Sequence, residues 1–189
     1  KHPTLVKSIL EAVVNSIDIP VTLKIRTGWC PATKNGVEIA KIAEDCGVCL
    51  LTVHGRTREC RFKGNVEYET IAKIKQNVRI PIIANGDIDS PLKAERVLEY
   101  TKADGLMIGR SAIGKPWIFD QIHQYLISGT HQPDPDISSK FKIVESHLKE
   151  IQIFYGEIKG VWYARKHIAR YVESLQNSKE FLRSFNKET

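Results

Sequence analysis

Val21-Thr22-Leu23-Lys24-Ile25-Arg26 is a short β-rich run in which apolar and polar side chains alternate. Three further apolar runs begin near Cys49, Ile80 and Gly105, and a helical periodicity follows each of the four runs. This repeated strand–helix order is typical of parallel βαβ architecture, and each repeat is close to the ~30 residues per unit of a (β/α)8 barrel. The sequence therefore predicts an α/β protein with half a barrel's worth of units.

The chain is predicted to have two domains. Helical patterns lie at 35–46, 66–76, 91–100 and 116–128, and another precedes them at about 5–16. The polar stretch 130–136 holds two prolines, which favours a linker. Amphipathic patterns at 141–151 and 164–175, with a third beginning at 181, predict helices beyond it. We expect barrel units over 1–130 and an all-helical domain over 131–189. Because the chain starts without Met and its last helical pattern stops abruptly, we expect a fragment.

Composition limits the classes of protein. The 189 residues are 42% hydrophobic, which is enough for a buried core, and no run approaches the ~20 apolar residues of a membrane-spanning helix. Four Cys are too few for a disulfide scaffold, so a reducing cytoplasm is expected. Cys46-Gly47-Val48-Cys49 has the spacing of half a zinc or redox site, but no second pair follows, so core packing and no metal are predicted. The net charge of +6 is compatible with a polyanionic partner without demonstrating one.

Polar residues at strand carboxyl ends are the first candidates for a site, because parallel α/β folds bind ligands at that edge. The polar side of the first strand would turn Lys24 and Arg26 toward the barrel interior. Their burial requires an anionic ligand or nearby carboxylates, so a ligand role and a structural ion pair are both open for Lys24. His54 ends the second strand, beside Gly55 and Arg56, where an anion or a flat ring could bind.

The last two strands favour a phosphate site. They run into Asn85-Gly86-Asp87 and into Gly109-Arg110-Ser111. In eight-fold barrels the loops after the last two strands commonly bind phosphate through backbone N–H groups. The sequence lacks G-x-G-x-x-G, the P-loop pattern and G-x-S-x-G, which leaves a flavin or sugar-phosphate barrel.

Two basic clusters are candidates for nucleic-acid contact, although a solvated charged face has the same pattern. The first surrounds Arg56 and Arg58. The second extends over 158–172, where no acidic residue occurs, and places Tyr163, Lys166, His167 and Arg170 along one helical stripe with Arg165 at its margin. Aromatic and basic groups in one stripe can stack on bases and pair with phosphates.

Several motifs resemble the tRNA-dihydrouridine synthase family, and its bacterial DusB-like branch most of all. The matching stretches are Leu23-Lys24-Ile25-Arg26-Thr27-Gly28-Trp29, Val53-His54-Gly55-Arg56-Thr57, Ala84-Asn85-Gly86-Asp87-Ile88, Met107-Ile108-Gly109-Arg110, Gly114-Lys115-Pro116-Trp117-Ile118-Phe119 and Ala164-Arg165-Lys166-His167. They cover nearly the whole chain in a consistent order. The resemblance implies the second half of an FMN-binding TIM (β/α)8 barrel followed by a helical tRNA-binding domain.

The resemblance also implies site residues and chemistry. Lys24 and His54 would face the isoalloxazine of FMN, and the ribityl phosphate and its surroundings would be served by Asn85, Gly86, Asp87, Gly109 and Arg110. NADPH would reduce the flavin, whose hydride passes to uridine C6 while a cysteine supplies a proton to C5. That cysteine belongs to the family's N-terminal half, and none of the four Cys here has a matching context, so no catalytic residue is assigned. The predicted tRNA contacts are Arg56, Arg58, Arg165, Lys166, His167 and Arg170.

Two other functions remain open at this point. Another FMN barrel could act on a free pyrimidine, and a module without redox activity could simply bind RNA. The basic helical tail disfavours the first, and a yellow colour of the purified full-length protein would exclude the second. The full-length protein is expected to be a cytoplasmic monomer, and these 189 residues alone are expected to be inactive and either poorly soluble or oligomeric.

Overall fold

The computed structural model describes residues 2–173 and 175–187. The chain forms two compact units, Lys1–Gly109 and Arg110–Thr189. The first unit alternates helices and strands in the order α1 (Pro3–Asn15), β1 (Thr22–Arg26), α2 (Gly36–Asp45), β2 (Leu50–His54), α3 (Glu69–Asn77), β3 (Ile82–Asn85), α4 (Pro91–Thr101) and β4 (Gly105–Met107). A 3-10 turn, Pro31–Thr33, lies between β1 and α2. These elements agree with the predicted ones to within a few residues.

The strands form a single parallel sheet in the order β1-β2-β3-β4 among the described residues. This topology confirms the predicted parallel α/β class. The register pairs Arg26 with His54 and His54 with Asn85, so three strands end side by side. The polar residues predicted to share the carboxyl edge of the sheet therefore do so.

Alternation along β1 sorts its side chains as predicted. Leu23 packs against a buried cluster of Leu10, Ala43 and Val48, which α1, α2 and the segment just before β2 contribute. Lys24, the next residue, points to the other side of the sheet, where it reaches Asn85 on β3. Burial of the apolar side under helices is the main stabilising contribution, and it leaves the opposite side for polar groups.

Helix ends follow the sequence signals. Ser90 caps α4 by accepting a hydrogen bond from the Lys93 N–H at 3.3 Å, and Pro91 occupies the first turn, where its missing N–H costs nothing. Gly47 follows the end of α2 with a φ of +90°, a conformation that favours glycine.

The regular elements described in the second unit are helical: a 3-10 turn at Arg110–Ala112, α5 (Ile118–Ser128), α6 (Ile137–Tyr155), α7 (Glu157–Tyr171) and α8 (Ser178–Phe185). The predicted linker 130–136 has no regular structure, and α6 begins after it because Asp136 accepts the Ser139 N–H at 2.8 Å. The helix expected over 164–175 instead starts at Glu157 and ends at Tyr171. None of the helices in the described ranges is long and apolar enough to cross a membrane.

The chain divides into compact units at Gly109–Arg110, and the predicted domain boundary after residue 130 stays a prediction. Asp134 links residues on the two sides of that predicted boundary. Its carboxylate accepts hydrogen bonds from Trp117 Nε1 and Gln121 Nε2, each at 3.1 Å, and pairs with Lys115 Nζ at 3.3 Å. These contacts tie α5 and the residues just before it to the segment that leads into α6.

Candidate functional site

Lys24 and Asn85 form a direct link across the sheet at its carboxyl edge. Lys24 Nζ donates to Asn85 Oδ1 at 3.0 Å, and Asn85 Nδ2 donates to the Met107 carbonyl at 2.7 Å, which fixes the orientation of the amide. Burial, and then the charge of Arg26, lower the pKa of Lys24. Within the described part of the chain no carboxylate pairs with this ammonium, so the structural ion pair considered for Lys24 does not form. The charge is held at the edge by a neutral partner and is suited to an anionic or electron-rich ligand.

His54 lies between Arg26 and Asn85 in the strand register and is only 8% exposed. Burial, and then the positive charges of Arg26, Lys24 and Arg56, lower its pKa to about 4. The imidazole is therefore neutral near pH 7, with one ring nitrogen able to donate and the other able to accept. A neutral ring of this kind can hydrogen-bond a polar heterocycle without adding charge.

Arg56 is a buried structural residue. Its guanidinium donates from NH1 to Asp87 Oδ1 at 2.9 Å and from NH2 to Asp87 Oδ2 at 2.5 Å, and NH2 also donates to the Gly64 carbonyl at 2.6 Å. The hydrogen bond that Arg56 donates to Asp87 is the largest of the effects that raise the pKa of Arg56, and the side chain is almost inaccessible. This geometry engages the Arg56 guanidinium within the protein, and its contact with RNA stays a prediction. It also gives the Asp87 carboxylate a partner within the protein.

Gly86 occupies a position that no other residue fits. Its φ is +129°, and a Cβ there would lie 2.9 Å from Val66 Cγ1 and 3.0 Å from His54 Cδ2. Its carbonyl accepts a hydrogen bond from the Tyr68 hydroxyl at 2.6 Å. Burial, and then the charges of Asp87 and Asp89, raise the pKa of Tyr68 to about 12, so the hydroxyl stays a donor. Sequence reasoning missed Tyr68, because it precedes α3 rather than following a strand and so carries no strand-end signal.

Arg26 is satisfied by backbone carbonyls rather than by the anionic group expected from the sequence. Its NH1 donates to the carbonyls of Thr57 and Arg61, each at 2.7 Å, and its guanidinium lies 5.5 Å from the centre of the Phe62 ring. Arg61 has a φ of +50° in the loop after β2. Arg26 thus holds this loop, on which Arg58 is exposed and remains a candidate for RNA contact.

Gly109 and Arg110 follow β4. A Cβ on Gly109 would meet no protein atom within 4 Å, so packing does not require glycine at this position. The position is open, and glycine there leaves room for a ligand to approach the backbone. Arg110 opens the 3-10 turn Arg110–Ala112 in the second unit and is exposed.

The predicted RNA stripe lies on α7. Lys166 and Arg170 are exposed, and Arg170 also pairs with Glu173 at 3.1 Å. His167 packs edge-on against His147 of α6, with ring centroids 4.7 Å apart, and its pKa is lowered by burial and then by His147 and Lys166. Arg165 is partly buried rather than displayed with the other cations. His147 could not be singled out from sequence, since its only signal there is helical spacing.

No group of three or more His, Cys, Asp or Glu side chains among the described residues could hold a metal ion. Cys46 and Cys49, the pair with zinc-like spacing, are both free thiols. Burial and then Glu11 raise the pKa of Cys46, which makes its thiolate less available.

The fold and this edge define a parallel α/β protein in which Lys24, His54 and Asn85 meet at adjacent strand ends. The family model described as Dihydrouridine synthase matches residues 1–189, so the chain belongs to the dihydrouridine synthase family. It is 56% identical over 98% of its length to tRNA-dihydrouridine synthase B of Proteus vulgaris and 54% identical over 99% of its length to that of Shewanella oneidensis. It spans 58% of the length of each of these relatives.

A likeness to a solved structure is weaker. The N-acetylmannosamine-6-phosphate 2-epimerase of Clostridium perfringens aligns over 68% of this chain and 62% of its own, with 16% identity and a TM-score of 0.35. That score is too low to support an argument about the fold.

Proposed function

We propose that the protein reduces specific uridines of tRNA to 5,6-dihydrouridine, with FMN as cofactor and NADPH as reductant. The observation that carries this proposal is the meeting of Lys24, His54 and Asn85 at adjacent strand ends in a chain of the dihydrouridine synthase family. The names of the relatives, tRNA-dihydrouridine synthase B, support tRNA as the substrate. Because the chain spans 58% of their length, the activity is proposed for the full-length protein.

We propose that the four-stranded sheet is the second half of a TIM (β/α)8 barrel and that the helices after it belong to a tRNA-binding domain. The parallel order of the strands and the helical content of Arg110–Thr189 support this arrangement. The cytoplasmic location, the monomeric state and the inactivity of the 189-residue chain alone stay predictions.

The residues of the edge fit an FMN site. The Lys24 ammonium, held by Asn85 at 3.0 Å, would lie by the isoalloxazine and stabilise negative charge on it. His54 is neutral, so it would donate a hydrogen bond to the isoalloxazine without adding a second positive charge beside it. Asn85, Gly86 and Asp87 after β3, and Gly109 and Arg110 after β4, would serve the phosphate and its surroundings, as the family resemblance implies. The chemistry that bound FMN supplies is hydride transfer.

The tRNA contacts that we propose are Arg58, Arg165, Lys166, His167 and Arg170. The exposure of Arg58, Lys166 and Arg170 supports a role in phosphate binding, since backbone contacts dominate nucleic-acid affinity. A free pyrimidine would make no use of these exposed cations. This is why we favour tRNA over a small-molecule substrate.

The test uses the full-length protein, its Lys24→Met variant and a Lys41→Met control on the exposed side of α2. Purified wild type should carry FMN and convert uridine to dihydrouridine in unmodified tRNA supplied with NADPH, measured by mass spectrometry of nucleosides. Lys24→Met should lose at least about tenfold in activity and release flavin more readily, because one charge-assisted contact is removed. Lys41→Met should match wild type. A colourless wild-type protein that forms no dihydrouridine would overturn the proposal.

A further inference from the structure

Two tyrosines on neighbouring helices form an exposed stack of rings, which we call the Tyr155–Tyr163 stack. Tyr155 ends α6 and Tyr163 lies in the first half of α7, and their ring centroids are 4.1 Å apart with 27° between the planes. Phe154 packs edge-on against Tyr155 at 4.7 Å. Tyr155 is 41% exposed, Tyr163 53% and Phe154 79%. The rings are thus organised by one another while remaining accessible.

The backbone brings the two rings together. Gly156 has a φ of +79° and forms the break at which α6 ends and α7 begins. Gly160 is buried in the α6–α7 contact, where a Cβ would lie 3.0 Å from Gln152 Cα. A larger residue at Gly160 would push the helices apart. The stack is therefore preorganised by regular elements rather than carried on a loop.

Tyr163 sits within a row of cations on α7. Lys159, Lys166 and Arg170 lie four residues before it and three and seven residues after it, which places them along the same side of the helix. No acidic residue occurs over 158–172. Cations spaced along a helix with aromatic rings among them complement a single-stranded nucleic acid, whose phosphates pair with the cations while an unstacked base lies on a ring.

We infer that the Tyr155–Tyr163 stack receives an unpaired base of the tRNA while Lys159 and Lys166 bind the adjoining phosphates. The inference rests on the proposed function, since it takes tRNA as the partner. It adds a base-stacking contact to a surface whose cations alone would bind only the phosphate backbone. Such a contact would favour a looped or single-stranded region of the tRNA over a duplex.

Charge favours RNA over a second copy of this chain as the occupant. Ile158 and Trp162 are also exposed beside the stack, at 64% and 58%, so an apolar interface between two copies has to be considered. A two-fold interface would bring the same surface of each copy together, so the cationic patch of one copy would face that of the other. Like charges facing each other oppose association, whereas the polyanionic backbone of RNA attracts them.

The test compares Tyr163→Leu, Tyr155→Leu and Tyr163→Phe in the full-length protein. Leucine keeps apolar bulk on the helix and removes the ring, whereas phenylalanine keeps the ring. Tyr100→Leu on α4 is the matched control, because Tyr100 is 60% exposed. Affinity is measured by fluorescence anisotropy for unmodified tRNA, for a uridine-rich single strand and for an RNA duplex of equal phosphate number, at several salt concentrations.

Tyr163→Leu and Tyr155→Leu should weaken binding of tRNA and of the single strand by about tenfold with an unchanged salt slope, because stacking involves no counterion release. Binding of the duplex should stay the same, and Tyr163→Phe and Tyr100→Leu should behave as wild type. A Lys166→Ala/Arg170→Ala variant should instead flatten the salt slope for all three RNAs. Circular dichroism and retained flavin verify that each variant folds.

The outcomes separate this inference from the proposed function. Wild type that binds tRNA and forms dihydrouridine, together with leucine variants of unaltered affinity, would overturn the inference and leave the function. Wild type that neither binds tRNA nor forms dihydrouridine would overturn the proposed function, and the inference with it. Leucine variants that turn a dimer into a monomer in light scattering, without losing RNA affinity, would assign the surface to a second copy and overturn the inference.

Discussion

The carboxyl edge of the sheet and the outer side of α7 are both rich in cations, but they use them differently. At the sheet edge Arg26 donates to two backbone carbonyls and Arg56 is held by Asp87 and Gly64. On α7, Lys166 and Arg170 remain exposed. A cluster of basic residues in a sequence therefore does not by itself indicate an external anion. Burial limits the Arg56 guanidinium to acceptors within the protein, whereas exposed cations on α7 stay open to an external anion, Arg170 in addition to its pair with Glu173.

The nature of the hydrogen-bond partner also distinguishes structural cations from candidate ligand-binding cations within the sheet edge. Lys24 has only the neutral amide of Asn85 as its hydrogen-bond partner, so its charge is not compensated by a carboxylate in the described structure. Arg56, two residues beyond His54 in the chain, is compensated by the Asp87 carboxylate. Variants can test this contrast, because loss of a structural cation should lower stability, whereas loss of a ligand-binding cation should lower affinity.

The largest expected effect is that of Arg56→Met. Arg56 is 4% exposed, and its removal takes away the hydrogen bonds that it donates to the Gly64 carbonyl and the Asp87 carboxylate. Breaking a buried pair in this way typically costs about 3–5 kcal/mol of unfolding free energy. Because Asp87 is partly exposed, we expect a loss of about 3 kcal/mol, at the lower end of that range. Urea unfolding of the full-length protein measures it.

Arg58→Met is the control on the same loop, since Arg58 is exposed. Its unfolding free energy should stay within about 0.5 kcal/mol of wild type, as for most surface substitutions. Equal destabilisation by the two variants would contradict the structural role of Arg56.

Much of the architecture could be predicted from sequence because its signals are local. The alternation in β1, the Ser90-Pro91 start of α4 and the glycine after α2 each depend on neighbouring residues. The rule that parallel strands place polar groups at one edge was enough to bring Lys24, His54 and Asn85 together. These parts of the prediction are confirmed by the sheet register.

The remaining features depend on contacts between residues that are distant in sequence. Arg56 and Arg58 are indistinguishable in a basic cluster, and only the arrival of Asp87 from the loop after β3 makes one of them internal. The link between α5 and the segment before α6 depends on the hydrogen bonds that Asp134 accepts from Trp117 and Gln121. The Tyr155–Tyr163 stack requires the close α6–α7 approach at Gly160. No local pattern encodes any of these.

A second prediction concerns the pH dependence of the sheet edge. The pKa of His54 is about 4 in the folded protein and near 6.5 when unfolded, because burial comes first among the causes that disfavour its charged form. The unfolded chain therefore binds this proton more readily, and the stability associated with neutral His54 is complete above pH 6.5 and is lost as the pH falls toward 4. We expect a loss of about 3 kcal/mol by pH 4 in flavin-free protein, since each pKa unit of difference is worth about 1.4 kcal/mol.

The measurement is the difference in unfolding free energy between wild type and His54→Gln across pH 7 to 4. The unfolding free energy of wild type should decrease relative to that of His54→Gln as the pH falls, because glutamine does not titrate. His167→Gln offers the comparison from the helical unit, where burial also lowers the pKa of the histidine but the ring is less buried. The pH-dependent change in this difference should be smaller for His167→Gln. A difference that does not vary with pH for His54→Gln would show that His54 does not titrate as argued.

The smallest expected effect concerns Asp134, which links α5 to the start of α6. Burial opposes its ionisation, but hydrogen bonds from Gln121, Trp117, Lys115 and Lys140 together lower the pKa of Asp134 to about 2. A carboxyl with a lowered pKa contributes stability above its unfolded pKa of 3.8, and that stability is lost as the pH falls through 3.8 toward 2. The side chain is 43% exposed, so solvent screening limits the contribution to about 1 kcal/mol.

Asp134→Asn should lose that amount of unfolding free energy at pH 7 in urea and should lack the acid-dependent loss. Glu145→Gln on the exposed side of α6 is the control and should match wild type. Identical acid profiles for wild type and Asp134→Asn would mean that the compact unit beginning at Arg110 does not depend on this carboxylate.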